Sequence, residues 1–195
     1  MWNEVKSCLK NTQFAVRLEL RPTDRNLDEY DYIQAVKPNY FPTVIDAASL
    51  VFESTFAPDE AIAMLCRRWG SKRTHIRTSG FGLKQVQFDQ DVSLSFKKRK
   101  TKERGIWIRE ALVLGDRRKF NHRNIFLGIA HADFNIQPMI REWVVFVSLQ
   151  KELVYFMYDD RGVLIASPSK ETLPTLPENL NILRYEDIRP SEFLL

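Results

Sequence analysis

The chain has 195 residues, 44% hydrophobic and 28% charged, with a formal net charge of +4. That length suits one domain with a sizeable core, and the composition excludes wholesale disorder. No apolar run approaches the ~18–20 residues that cross a bilayer, and the opening stretch MWNEVKSCLKNTQF lacks an apolar signal core. A cytoplasmic protein with no membrane segment is expected. Cys8 and Cys66 lie far apart with no C-x-x-C pair, which fits reduced thiols.

The charge is unevenly spread. Residues 1–60 carry 6 basic and 10 acidic side chains, residues 61–149 carry 18 and 7, and residues 150–195 carry 5 and 8. A basic middle between mildly acidic ends suits an anionic partner, or ends that cover part of the middle.

In chain order, FAVRLEL (Phe14 to Leu20) places Phe14, Val16, Leu18 and Leu20 on one side and Arg17 and Glu19 on the other, a half-buried strand. RPTDRNLDEYDY then reads as a polar loop. From Tyr40 to Phe56 the period becomes helical, with Val44, Ala48, Val51 and Phe52 on one face, Pro42 in the first turn and Pro58 closing the helix. DEAIAMLCRRWG (Asp59 to Gly70) is too short an apolar run to tell buried strand from helix. Thr74 to Phe96 favours β, with Val86 and Phe88, then Val92, Leu94 and Phe96, sharing a parity. GIWIREALVLG predicts another strand. NHRNIFLGIAHADFN predicts a helix through Ile125, Phe126, Ile129, Ala130 and Phe134, capped by Asn121. EWVVFVSLQ, LVYFMYD and GVLIAS close the chain as a β-meander. No repeat or linker interrupts residues 1–195, so one α+β domain is expected: an antiparallel sheet of five or more strands, with the two main helices packed on one face.

FMYDDRG (Phe156 to Gly162) joins the last two of these strands. Strand side chains alternate, so Asp159 and Asp160 would face apart, and would not easily share one metal ion or proton, if both lay in the strand. A three-residue hairpin loop needs nothing extra: aspartate bonds its own backbone in turns, and Gly162 supplies positive φ. At least one aspartate is expected to accept loop amides, with Arg161 paired to a nearby carboxylate.

NIFLGIAHADF, WVVFVSLQKELVYFMYDDRGVLIAS and ILRYEDI together resemble a family of small bacterial domains of unknown function. That family shows a helix ending in Ala-x-x-Asp-Phe, two strands, a Tyr-Asp-Asp-Arg-Gly turn and a closing Tyr-acidic stretch. Its motif positions fall here on Asp133, Phe134, Tyr158, Asp159, Asp160, Arg161 and Gly162. Asn135 departs from the glycine that relatives tend to carry. The resemblance implies an α+β fold and no established activity.

Other chemistry is sparsely signalled. His75, His122 and His131 have no partner at strong metal-ligand spacing. Cys66 in an apolar segment reads as a packed thiol. Phosphate-binding glycine loops and hydrolase elbows are missing from the sequence. Neither a metal nor another cofactor, and no catalytic residue, is therefore expected. A hydrolase or nuclease site would need Asp133 to reach Tyr158, Asp159 and Arg161 from a separate element.

The basic middle, residues 67–123, is the unusual feature. Arg67, Arg68, Lys72 and Arg73, then Lys97, Lys98, Arg99 and Lys100, then Arg117, Arg118 and Lys119 are interleaved with Trp69 and Phe120. Such cations suit an acidic protein surface or nucleic acid. They equally describe a solvated hairpin and a sheet edge blunted by lysine. The expected function is a non-enzymatic, immunity-type or regulatory protein-binding module, with nucleic-acid binding as the alternative. Three basic segments sharing one exposed face would favour nucleic acid.

Overall fold

The computed structural model describes residues 1–21, 39–103, 105–176 and 184–186. Their strands are β1 (Phe14–Glu19), β2 (Ala61–Gly70), β3 (Ser93–Lys100), β4 (Trp107–Asp116), β5 (Trp143–Ser148), β6 (Leu153–Met157), β7 (Gly162–Ser167) and β8 (Arg184–Glu186). All join one antiparallel sheet in the order β3-β4-β2-β5-β6-β7-β1-β8. The helices are α1 (Trp2–Asn11), α2 (Tyr40–Thr55), the single turn α3 (Phe81–Lys84) and α4 (His122–Asp133). The architecture is α+β. Among the described residues, no helix is long and apolar enough to cross a membrane.

The helices α2 and α4 pack together on one face, as their periodicity predicts. Val44, Val51 and Phe52 from α2 and Ile125, Phe126 and Ile129 from α4 meet Met64, Phe146, Tyr155 and Ile165 from the strands. Each such side chain, fully buried, stabilises the fold by roughly 1.5–3 kcal/mol relative to exposure. Asn121 accepts the Asn124 N–H at 3.2 Å, so the expected cap starts α4.

The opposite face holds an element that the sequence pattern left unassigned. Val5, Cys8 and Leu9 of α1 cover Ala63, Leu65, Val145, Val147 and Val154. This second layer explains why residues 59–70 resisted assignment. β2 lies between β4 and β5 with both faces covered, so its side chains are buried without alternation.

One stretch departs from the expected strand. Residues 74–92 are mostly turns around α3, with Val86 making a lone bridge to Phe120 and Phe88 left exposed. The strand begins only at Ser93 and carries the lysine run itself. Pairing with β4 decides this, since Leu94 and Phe96 meet Val113 and Ala111 while Val86 and Phe88 have no ladder to join. The loop expected over residues 21–32 lies, from residue 22 onward, outside the described residues. Of the closing stretch ILRYEDI, only Arg184–Glu186 is described.

Asn135, just beyond α4, holds φ at +54°. That is the left-handed region, which glycine enters freely and asparagine tolerates better than most residues. The position where relatives tend to carry glycine thus keeps a compatible side chain. Asn135→Gly should leave thermal stability nearly unchanged, whereas Asn135→Val should cost about 1–2 kcal/mol in denaturant unfolding.

Candidate functional site

The Tyr158 N–H donates to the Gly162 carbonyl at 3.3 Å, leaving Asp159, Asp160 and Arg161 as a three-residue hairpin loop. The Arg161 N–H donates to Asp159 Oδ1 and its Nε donates to Asp159 Oδ2, each at 2.7 Å. One aspartate therefore accepts a loop amide and pairs with Arg161, as expected.

Gly162 is required for another reason than the one its sequence suggests. Among the described residues, Gly105 is the one glycine with positive φ; Gly162 has none. A Cβ on Gly162 would instead lie 2.0 Å from the Tyr158 hydroxyl and 2.8 Å from the Leu18 carbonyl oxygen. The hydroxyl is anchored by Arg17 Nε at 2.7 Å, and the carbonyl is backbone, so neither yields freely. Close approach, not turn conformation, demands the glycine.

Asp159 and Asp160 both sit in the loop, as the turn reading expects, so strand alternation does not hold them apart. Asp133, at the end of α4, joins them. One oxygen from each of the three carboxylates lies within 4.8 Å of the others. Tyr40, at the start of α2, donates its hydroxyl to Asp160 Oδ2. Asp160 is wholly buried, Asp159 is nearly so, and Asp133 is exposed. The separate element that a chemical site would need does reach the hairpin. Beside it, a groove of about 250 Å³ runs between Trp69 and Tyr158 with Asp133 on its lining.

Burial pushes the Asp160 carboxyl above the ordinary range; the Tyr40 hydroxyl opposes this, while Asp159 and Asp133 add repulsion. Asp133 is raised for the same reasons, desolvation first and then Asp159, with Arg161 opposing. The histidines take no part. His122 stacks on Phe52 and contacts Glu53, His131 contacts the Pro138 carbonyl, and His75 is exposed. Cys8 and Cys66 are buried, and burial raises both thiols, Cys8 to about 12.

The basic segments separate. Arg67 is buried with Glu110, at 2.9 Å, on the α1 face, where Lys6 and Arg99 also approach that carboxylate. Arg68 pairs with Glu142, and Arg73 is exposed. Arg117, Arg118 and Lys119 follow the far end of β4, roughly 30 Å from its start, and pair with Glu53, Asp116 and Asp89. The run Lys97 to Lys100 lies on the outermost strand and splits by parity. Lys97 sits over Trp2 on the α1 face, while Lys98 sits over Trp107 on the other.

That second face holds a cluster the sequence reading missed. Lys98 is opposite Arg109, and Lys100 is opposite Trp107. Arg109 is 5% exposed, donates to the Thr74 and Lys72 carbonyls, and keeps Nη1 without a hydrogen-bond partner. No carboxylate forms an ion pair with Arg109, Lys98, Lys100 or Lys72 among the described residues. Partial desolvation, then Arg109 and Lys72, push the Lys98 ammonium below its ordinary range. Phe96, half exposed, lies on the same face of β3. The available signal was Arg109 next to Glu110 inside an otherwise apolar strand; Tyr40 gave none.

Comparison with known proteins adds one finding. The profile of a domain of unknown function, DUF3885, matches residues 2–185. The chain belongs to the DUF3885 family. No curated protein and no solved structure matches it. In this DUF3885 chain the match extends from α1 into β8, so it embraces both the carboxylate cluster and the basic edge.

Gly162→Ala should lower stability by about 1 kcal/mol or more, as over-packing against fixed neighbours does, a loss that Asp160→Asn should not share; parallel thermal melts measure both. The pH dependence has a definite sign. A carboxyl raised by folding binds its proton more tightly in the folded state, so ionising it as pH rises removes stability. From about pH 4 upward, Asp160→Asn should therefore gain stability relative to the parent, and the two melting curves should converge below that pH.

Proposed function

We propose that this DUF3885 chain is a cytoplasmic, non-enzymatic protein-binding module whose basic sheet edge docks an acidic partner. The observation that carries the reading is Arg109. A guanidinium so deeply buried normally has a carboxylate partner, because an unpaired buried charge is costly. Here it donates to two backbone carbonyls, and Lys98 opposite it is repelled by Arg109 and Lys72. An acidic side chain docked over the exposed Lys98 and Lys100 would quench that repulsion. Phe96 and Trp107 provide the aromatic contact area that interfaces favour, and the lysines provide the polar rim.

Nucleic acid is the alternative occupant, and the placement of the cations counts against it. A polyanion wants a continuous basic track, whereas Arg67 is spent on Glu110 and the segment after β4 is paired with acids at the other end of the sheet.

The deciding experiment is affinity capture from native lysate after nuclease treatment, followed by reassembly from purified components. The expected result is one acidic protein bound at one to one, with affinity about ten-fold or more weaker for the Lys98→Glu/Lys100→Glu variant. Retention that disappears on nuclease treatment, or substrate turnover by the isolated chain, overturns the reading.

A further inference from the structure

The loop's own architecture is complete without Asp160. Asp159 accepts the Arg161 amide and guanidinium, and these bonds close the turn. Asp160 points elsewhere, into a cluster where Asp133 arrives from α4. Charge matching there is incomplete: Arg161 pairs with Asp159, while no ion pair reaches Asp133 or Asp160 among the described residues.

A second observation is of a different kind. Asp160 is 0% exposed, its Oδ2 takes the Tyr40 hydroxyl, and its Oδ1 has no hydrogen-bond partner among the described residues. Buried polar atoms are ordinarily satisfied, and an orphan next to two further carboxylates is the least favourable kind. We propose that Asp133, Asp159 and Asp160 bind one hard divalent cation, Mg²⁺, Mn²⁺ or Ca²⁺, with Asp160 Oδ1 as its buried ligand.

The donor set selects the class of ion. Every donor is a carboxylate oxygen, which suits hard cations, and neither histidine nor thiol stands in the cluster. The spacing also fits one ion. Oxygens on opposite sides of a cation lie about 4.2 Å apart around Mg²⁺ and about 4.8 Å apart around Ca²⁺, twice the metal–oxygen distance. Tyr40 and Arg161 hold Asp160 and Asp159 in orientation while leaving lone pairs for the metal, the supporting role that outer-shell partners play. Asp133 is exposed and faces the groove, so the remaining coordination positions open to solvent.

The test is titration of the 195-residue chain with Tb³⁺, excited through tyrosine, since Tyr40 bonds a proposed ligand and Tyr158 adjoins the others. Luminescence should saturate at one ion per chain. Mg²⁺, Mn²⁺ or Ca²⁺ should displace it with a Kd on the order of 1 mM or tighter. Asp133→Asn, an exposed change at a helix C-terminus, should weaken binding about ten-fold or more, because affinity follows ligand charge. Asp46→Asn, on the outer surface of α2, should bind as the parent does. Circular dichroism of each variant confirms the fold. Absence of saturable binding to the parent overturns the proposal and leaves carboxylates that share protons instead of a metal. Equal affinity in Asp133→Asn, or equal loss in Asp46→Asn, overturns it as well.

Discussion

The ring of Phe52 meets those of Phe56, His122, Phe126, Phe146 and Tyr155, with centroids 4.8–5.5 Å apart. These contacts tie α2 to α4, and both helices to β5 and β6. Aromatic pairs in edge-to-face geometry contribute about 0.5–1.5 kcal/mol each beyond the area they bury. Their larger consequence is positional. Close packing allows few relative placements of two helices on a sheet, and this one brings the first residue of α2 and the last of α4 to the β6–β7 hairpin. Tyr40 and Asp133 reach Asp160 and Asp159 because Phe52 and its neighbours hold the opposite ends.

Two electrostatic neighbourhoods share that end of the sheet. The acidic tip sits where β6 meets β7, and the basic edge sits on β3 and β4, with β2 and β5 between them. At nearly 5 Å per strand the separation is roughly 15–25 Å, longer than the ~8 Å over which physiological salt lets exposed charges interact. Among the described residues, carboxylates and cations without ion-pair partners can therefore stand at one end without neutralising each other. β2 contributes to this insulation by committing Arg67 to Glu110.

The two unmatched groups differ in what would satisfy them. Arg109 is a planar cation buried beneath an exposed, lysine-bearing strand edge, and an anionic group carried by a large partner can reach that edge. Asp160 is enclosed by loop, helix end and hairpin, so that only something as small as an ion could reach Oδ1. Size and sign thus assign different occupants to the two places, and occupation of one leaves the other free.

Much of the architecture was legible in residue periodicity: β1 by alternation, α2 by helical spacing, α4 with its Asn121 cap, and the closing meander with its hairpin at Asp159 to Arg161. These are local signals, carried by side-chain spacing and by hydrogen bonds within a few residues. α1 and β2 were harder, since a strand covered on both faces shows no alternation and the cover came from a helix with only three buried residues. The true start of β3 depended on whether β4 offered a partner, which no window of sequence contains. At the site, the sequence determined that an aspartate and Arg161 would close their own turn, because those atoms are neighbours in the chain. It could not determine that Asp133 and Tyr40 would arrive there, that Gly162 is pressed by Tyr158 and Leu18, or that Arg109 would be buried among cations. Those facts join residues from distant elements, and only the packing of two helices on one face of a twisted sheet decides which of them meet.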